Sequence, residues 1–175
     1  FYLQDPKPDL DERTSEGIFI ATQRVSTVKV GDEVLIASGV VKEFNPAGAG
    51  NNSLTITQIH TNDINFLSKG NPLPVPIVLG EGGRTIPNQV ITNDVNGYAG
   101  KSRIFDPQED GLDFYESLEG MRVQVNQALA VSPTSKYREV VVVADKGKNS
   151  TVLSSRGVLV LRPEDFNPER ILIDD

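Results

Sequence analysis

The feature that most constrains this chain is its punctuation. Apolar runs rich in valine and isoleucine recur along it, and glycine, proline, asparagine or aspartate interrupts each one before a helical period is established. Such runs lie at 18–20, 28–30, 34–44, 54–59, 75–79, 121–125, 140–143 and 158–161. β-branched side chains fit a pleated surface, and eleven prolines with fifteen glycines supply the turns between runs. The spacing predicts one helical turn, at 112–118, with Asp113 as a cap and Gly120 as its end. The expected class is therefore all-β with one short helix.

The most informative local pattern runs from Val28 through Gly31 and Asp32 to Val41. Gly31-Asp32 makes a tight turn, and alternation over Val34, Ile36 and Val40 turns one face inward. Gly39 interrupts the strand where a small barrel needs a bulge or bend. A partly open barrel of the oligonucleotide/oligosaccharide-binding (OB) type uses such a coiled strand. We expect two OB-like units, at 1–60 and 112–175. Between them the segment 61–111, rich in Pro, Gly and Asn, reads as a long connection carrying short strands.

Composition narrows the function. Seventeen basic against 24 acidic residues give a net charge of −7, which opposes a phosphate backbone and an anionic lipid surface, so nucleic acid is expected to bind weakly or not at all. There is no cysteine, so disulfides and thiolate metal sites are excluded. No apolar run reaches the roughly 20 residues of a membrane-spanning helix.

Three groups of residues carry a resemblance. Phe1-Tyr2-Leu3-Gln4-Asp5-Pro6, Thr14-Ser15-Glu16-Gly17-Ile18-Phe19-Ile20 and Val30-Gly31-Asp32-Glu33-Val34 form the first. The others are Asp113-Phe114-Tyr115-Glu116-Ser117-Leu118-Glu119-Gly120-Met121 and Phe166-Asn167-Pro168-Glu169-Arg170-Ile171. Together they resemble the barrel region that precedes the catalytic domain in large secreted bacterial nucleases of the endonuclease/exonuclease/phosphatase superfamily. The resemblance implies a secreted or cell-surface, bacterial location and a parent protein with metal-dependent nuclease or phosphoesterase chemistry in a domain outside this chain. It also implies a first unit without its opening strand and a second without its closing strands. On that reading the apolar ends, 1–4 and 171–173, belong to open β edges, completed by the remainder of the parent chain or by a neighbouring molecule.

Two acidic groups are candidate Ca²⁺ sites, because Ca²⁺ gathers six to eight oxygen ligands in flexible geometry. Asp5, Asp9 and Asp11, with Glu12 and Glu16, crowd one loop; Asp106, Glu109 and Asp110, with Asp113, crowd another. Against these stand a solvated loop for the first and, for the second, helix capping by Asp110 or Asp113. His60 is the one histidine, and Ser150, Ser154 and Ser155 have no histidine near them in sequence. Gly80-Glu81-Gly82-Gly83-Arg84 is followed by Thr85-Ile86-Pro87 instead of a helix, so it reads as a turn and not a phosphate loop. Lys136, Arg138, Lys146, Lys148, Arg156 and Arg162, with Tyr137, concentrate basic charge in the second half, a single-strand binding face or scattered solvated side chains. Asn51-Asn52-Ser53 and Asn149-Ser150-Thr151 are glycosylation sequons. The expected function is a noncatalytic binding or scaffolding module that positions a catalytic domain or its polymeric substrate. The alternative is a structural component of a cell-surface or extracellular assembly.

Overall fold

The computed structural model describes residues 1–48, 50, 53–93 and 104–174. The chain forms two compact units, residues 1–76 with 118–122 and residues 77–117 with 123–175. The first boundary thus falls at 76/77, whereas the punctuation of the sequence suggested 60/61. The reason is the strand that crosses position 60: residues 61–68 are mostly polar and carry little β signal alone, yet their backbone is paired along its length.

The first unit is a four-stranded sheet of β1 (Tyr2–Gln4), β2 (Gly17–Ala21), β3 (Glu33–Phe44) and β4 (Ile56–Ser68), in the order β1-β2-β4-β3. β3 and β4 form a long antiparallel hairpin, β2 runs parallel to β4, and β1 is antiparallel to β2. The turn into β3 is built as its sequence suggests. Gly31 takes φ +87°, Lys29 N–H donates to Asp32 Oδ2 at 2.9 Å, and Asn71 closes the hairpin base by donating to the Gly31 carbonyl at 2.8 Å. The ladder slips between Ser38 and Val40, so a bulge sits at Gly39, where an added Cβ would lie 2.5 Å from the Ile59 side chain. Ile20 is buried beneath the sheet, and Tyr2 meets the Phe19 ring edge-on at 5.1 Å.

Residues 118–122 complete this unit. Ser15 Oγ donates to the Glu119 carbonyl at 2.5 Å, Thr57 N–H donates to Glu119 Oε1 at 3.0 Å, and Arg122 N–H donates to Gln4 Oε1 at 2.9 Å. Burial raises the Glu119 carboxyl and the Glu43 charge adds to it, while the Thr57 amide pulls it down. Gly120, at φ +72°, brings this segment so close to β2 that Gly17 has no room for a side chain.

In the second unit β5 (Ile77–Leu79) pairs in parallel with β6 (Val123–Val125). A separate antiparallel sheet joins β7 (Leu129–Ala130), β8 (Val140–Val143) and β9 (Ile171–Ile173) in the order β7-β8-β9. Among the described residues the one α-helix, α1 (Gly111–Glu116), lies between β5 and β6 in sequence, and a single 3-10 turn, Asp145–Gly147, follows β8. Leu79, Ile86, Phe114, Val142, Val143 and Ala144 form the core. The 80–84 stretch is a tight turn: Gly83 N–H donates to the Gly80 carbonyl, and Arg84 N–H to that of Val78. Its arginine turns inward, with the guanidinium 5.0 Å from the centre of the Phe114 ring and a 2.9 Å hydrogen bond to Ser117 Oγ.

The chain is all-β with one short helix, as its punctuation required. Among the described residues no sheet closes into a barrel: β3 pairs only with β4, and β1 only with β2. Two expected strands are absent as such. Residues 28–30 lead into the turn without pairing, and 158–161 contribute only an isolated bridge between Leu153 and Leu159. Around that bridge Ser154 N–H donates to the Val158 carbonyl at 2.9 Å and Val160 N–H to that of Val152 at 3.1 Å, a pairing too short to count as a strand.

Replacing Gly17 by alanine places a methyl 2.5 Å from the Gly120 carbonyl oxygen and 2.6 Å from Met121 N, backbone atoms that cannot rotate away. The expected outcome is a loss of about 1–3 kcal/mol in urea unfolding, the scale of an overpacked interior. An unchanged midpoint contradicts the close approach of the two segments.

Candidate functional site

The densest set of ionisable groups in the second unit surrounds the start of α1. Asp110 takes the extended conformation of a helix N-cap, and its Oδ1 accepts from Leu112 N at 2.9 Å and Asp113 N at 3.2 Å. Its Oδ2 accepts from Asn93 N at 2.8 Å, so one fully buried carboxylate ties the strand-like 91–93 segment to the helix. Asp113 is not the cap that its position suggested: it lies one turn inside, and its Oδ2 accepts from Asp106 N at 2.9 Å. Asp106 Oδ2 accepts from Asn93 Nδ2 at 3.3 Å. Carboxylate oxygens of Asp106, Asp110 and Asp113 all lie within 4.8 Å of one another.

Three carboxylates this close repel unless something compensates them, and here backbone amides do much of that work. Asp110 receives three N–H groups, which is the arrangement of a cap. Asp106 Oδ1 alone is buried without a donor. The acidic group named from sequence is thus partly regrouped: Asp106 and Asp110 come together with Asp113, whereas Glu109 is exposed beside them. Oxygen ligands of this kind suit Ca²⁺, but both oxygens of Asp110 are already engaged, Oδ1 by the helix start and Oδ2 by Asn93.

The other acidic candidates, Asp5, Asp9 and Asp11, lie in the exposed loop between β1 and β2, and each carboxylate folds back on its own loop. Asp5 Oδ1 accepts from Lys7 N at 2.8 Å, Asp9 Oδ1 from Asp11 N at 2.7 Å, and Asp11 from Arg13 N at 3.0 Å. The Arg13 side chain forms a two-pronged pair with Asp11, at 2.8 and 2.7 Å, which lowers the Asp11 carboxyl to about 2. Among the described residues they do not converge into a three-carboxylate group.

His60 lies on β4 and shares its Nε2 with Gln58 Oε1 at 3.1 Å. Of the basic set, Lys148 pairs with Glu81 at 2.7 Å, and Lys136 lies 4.8 Å from the ring of its neighbour Tyr137 on an exposed turn. The Asn51-Asn52-Ser53 sequon lies outside the described residues except for Ser53. In the other sequon Asn149 is occupied, donating from Nδ2 to the Ile86 carbonyl at 2.8 Å.

The feature that sequence reasoning missed is the stretch 165–170. Asn167, in the left-handed conformation at φ +53°, and Glu169 are both 3% exposed. Asn167 Oδ1 and both carboxylate oxygens of Glu169 meet no donor at hydrogen-bonding geometry. Burial pushes the Glu169 carboxyl above its usual range. Its own amide pulls the other way, the Asp165 charge raises it further, and the Thr151 amide and Arg170 lower it. On the outer side of the stretch an open cleft of about 290 Å³ is lined by Ile91, Leu112, Tyr115, Val141, Pro168 and Leu172, among others. Tyr115 donates to the Arg170 carbonyl at 3.3 Å, and burial foremost, then the Glu169 charge, holds its phenol well above the ordinary range. The signal present in the sequence is the alternation Asp165-x-Asn167-x-Glu169, which by itself does not say that Asn167 and Glu169 are buried.

A family model described as Domain of unknown function (DUF8508) matches residues 78–175, more than half the chain, which therefore belongs to that family. The match begins one residue after the second unit does. No curated protein and no solved structure matches.

Asp110→Ala is expected to destabilise the chain by about 2–4 kcal/mol, since it removes a cap and strands buried amides. Glu109→Ala, one residue away but exposed, is expected to stay within about 0.5 kcal/mol. Equal effects in thermal unfolding contradict the capping role. In a carboxyl NMR titration Asp11 is expected to titrate near 2, and Arg13→Ala to return it toward ordinary values. A carboxyl lowered in the folded state stabilises above its unfolded pKa, and that contribution disappears as pH falls toward 2. A wild-type midpoint in the ordinary carboxylate range contradicts the pair.

Proposed function

We propose that this member of the DUF8508 family is a noncatalytic accessory module of a secreted multidomain protein of the nuclease or phosphatase type, and that it acts by taking an extended polypeptide segment onto the free edge of β3. The observation that carries this reading is the edge itself. Among the described residues β3 is a long strand paired on one side only, and Val40, Val41 and Phe44 stand 59%, 66% and 49% exposed on it. A row of unpaired amides and carbonyls beside apolar side chains is a template for an added strand. The chain's charge of −7 favours a polypeptide over a polyanionic strand as the occupant. The proposed occupant is a neighbouring segment of the same secreted polypeptide, so that the module fixes where the adjoining domain stands.

The test is hydrogen exchange on β3 in the isolated chain and in the intact parent protein. The outward amides of 40–44 are expected to exchange about tenfold or more slowly in the parent. Val41→Lys, a charge of the kind that guards sheet edges, is expected to abolish the difference while leaving the melting temperature of the isolated chain unchanged. Equal exchange in both contexts overturns the proposal. Concentration-dependent protection in the isolated chain, with dimers in sedimentation, also overturns it, and identifies a second copy as the occupant, as in the assembly alternative.

A further inference from the structure

Buried acceptors without donors are the anomaly of the second unit, and they are concentrated in one short stretch. Asn167 and Glu169 are each 3% exposed, and three of their oxygen atoms have no hydrogen-bond partner. Asp165, two residues earlier, receives Asn167 N–H on Oδ1 at 3.2 Å and the Thr151 hydroxyl on Oδ2 at 2.6 Å, which leaves each oxygen a further lone pair. The Glu169 and Thr151 amides act on the Glu169 carboxylate, but neither reaches it at hydrogen-bonding geometry, and a buried carboxylate held so weakly is unfavourable unless a proton or a cation neutralises it. A proton on Glu169 makes one of these three oxygens a donor and serves at most one of the other two, so one is still left over. A cation neutralises the carboxylate and can take more than one of these oxygens as ligands.

We propose that Asp165, Asn167 and Glu169 form a Ca²⁺ site, distinct from the acidic helix cap and independent of the reading of β3. The spacing i, i+2, i+4 is that of oxygen ligands presented by one loop, and the left-handed turn at Asn167 curls the backbone between the two acids. Two carboxylates match a divalent charge. An all-oxygen set that includes a neutral amide, on an irregular loop, suits the flexible coordination of Ca²⁺ better than the strict octahedron of Mg²⁺. Zinc prefers thiolate and imidazole, and the chain has no cysteine and one histidine, placed on β4 of the other unit. Tyr115, near enough to feel the Glu169 charge, supplies an intrinsic reporter.

The experiment uses the whole chain, stripped with chelator and titrated with Ca²⁺ by calorimetry, and with Tb³⁺ by emission excited through tyrosine. One saturable Ca²⁺ site is expected, Ca²⁺ competes with Tb³⁺, and the melting temperature rises with Ca²⁺ concentration. Glu169→Gln and Asn167→Ala each weaken Ca²⁺ binding more than about tenfold. Asp106→Asn leaves the affinity unchanged. Because Glu169→Gln removes an uncompensated charge, its melting temperature in chelator is expected to equal or exceed that of the parent chain, which shows that the variant folds. Three results overturn the proposal: no Ca²⁺ binding up to about 10 mM, the weak end of extracellular calcium modules; full affinity in Glu169→Gln; or binding abolished by Asp106→Asn.

Discussion

A carboxylate out of water must be given donors, and that demand organises the second unit around Asp110. Its two oxygens collect the first amides of α1 and the amide of Asn93, so the helix start and the residue 93 backbone are fixed with one side chain, while Asp113 holds the Asp106 amide. Around it the interior mixes apolar and polar groups, with Phe114, Val142 and Val143 beside Asp113, Ser117, Asn167 and Glu169. A helix of six residues is too short to persist on propensity alone, so α1 depends on its cap and on burying Phe114. The same demand is not met at Glu169, whose buried carboxylate oxygens have no hydrogen-bond partner.

The first unit meets the opposite constraint, since its sheet has pairing to spare. β3 is long and exposed over most of its length, and β4 is exposed mainly in its second half, so their hairpin is held chiefly by its ladder, its Gly31 turn and the bulges that twist it. Its interior is narrow, with Ile20, Leu118 and Gln58 the buried side chains among the described residues. The segment 118–122 offsets this by threading between the Ser15, Thr57 and Gln4 contacts, where Gly17 and Gly120 let two backbones meet. A sheet built this way keeps an edge available for another strand, and the functional reading rests on that property.

Much of the architecture was legible in the residues. Gly31-Asp32 specified its turn, Gly39 its bulge, and the scarcity of helical spacing left one helix near 112–118, found at Gly111–Glu116. The cap was less legible, because Asp110 and Asp113 lie three residues apart with the same chemistry and only the backbone conformation, extended at Asp110, decides which one faces the free amides. Residues 61–68 read as connection because a strand solvated on both faces carries no alternation of burial to detect.

By itself, the sequence determined the class of structure, through β-branched runs too short and too interrupted for helices, and the absence of thiolate chemistry. It also determined where the turns fall, since glycine and proline act on the backbone locally. Only the tertiary structure decided which strands share a sheet, that β2 runs parallel to β4, and that the sheets remain open. It alone decided that Asp113 joins Asp106 and Asp110 while Glu109 stays in water, and that Glu169 is buried without a donor. The physical reason is that pairing, burial and desolvation depend on residues distant in the chain, whereas a turn or a period is set by neighbours.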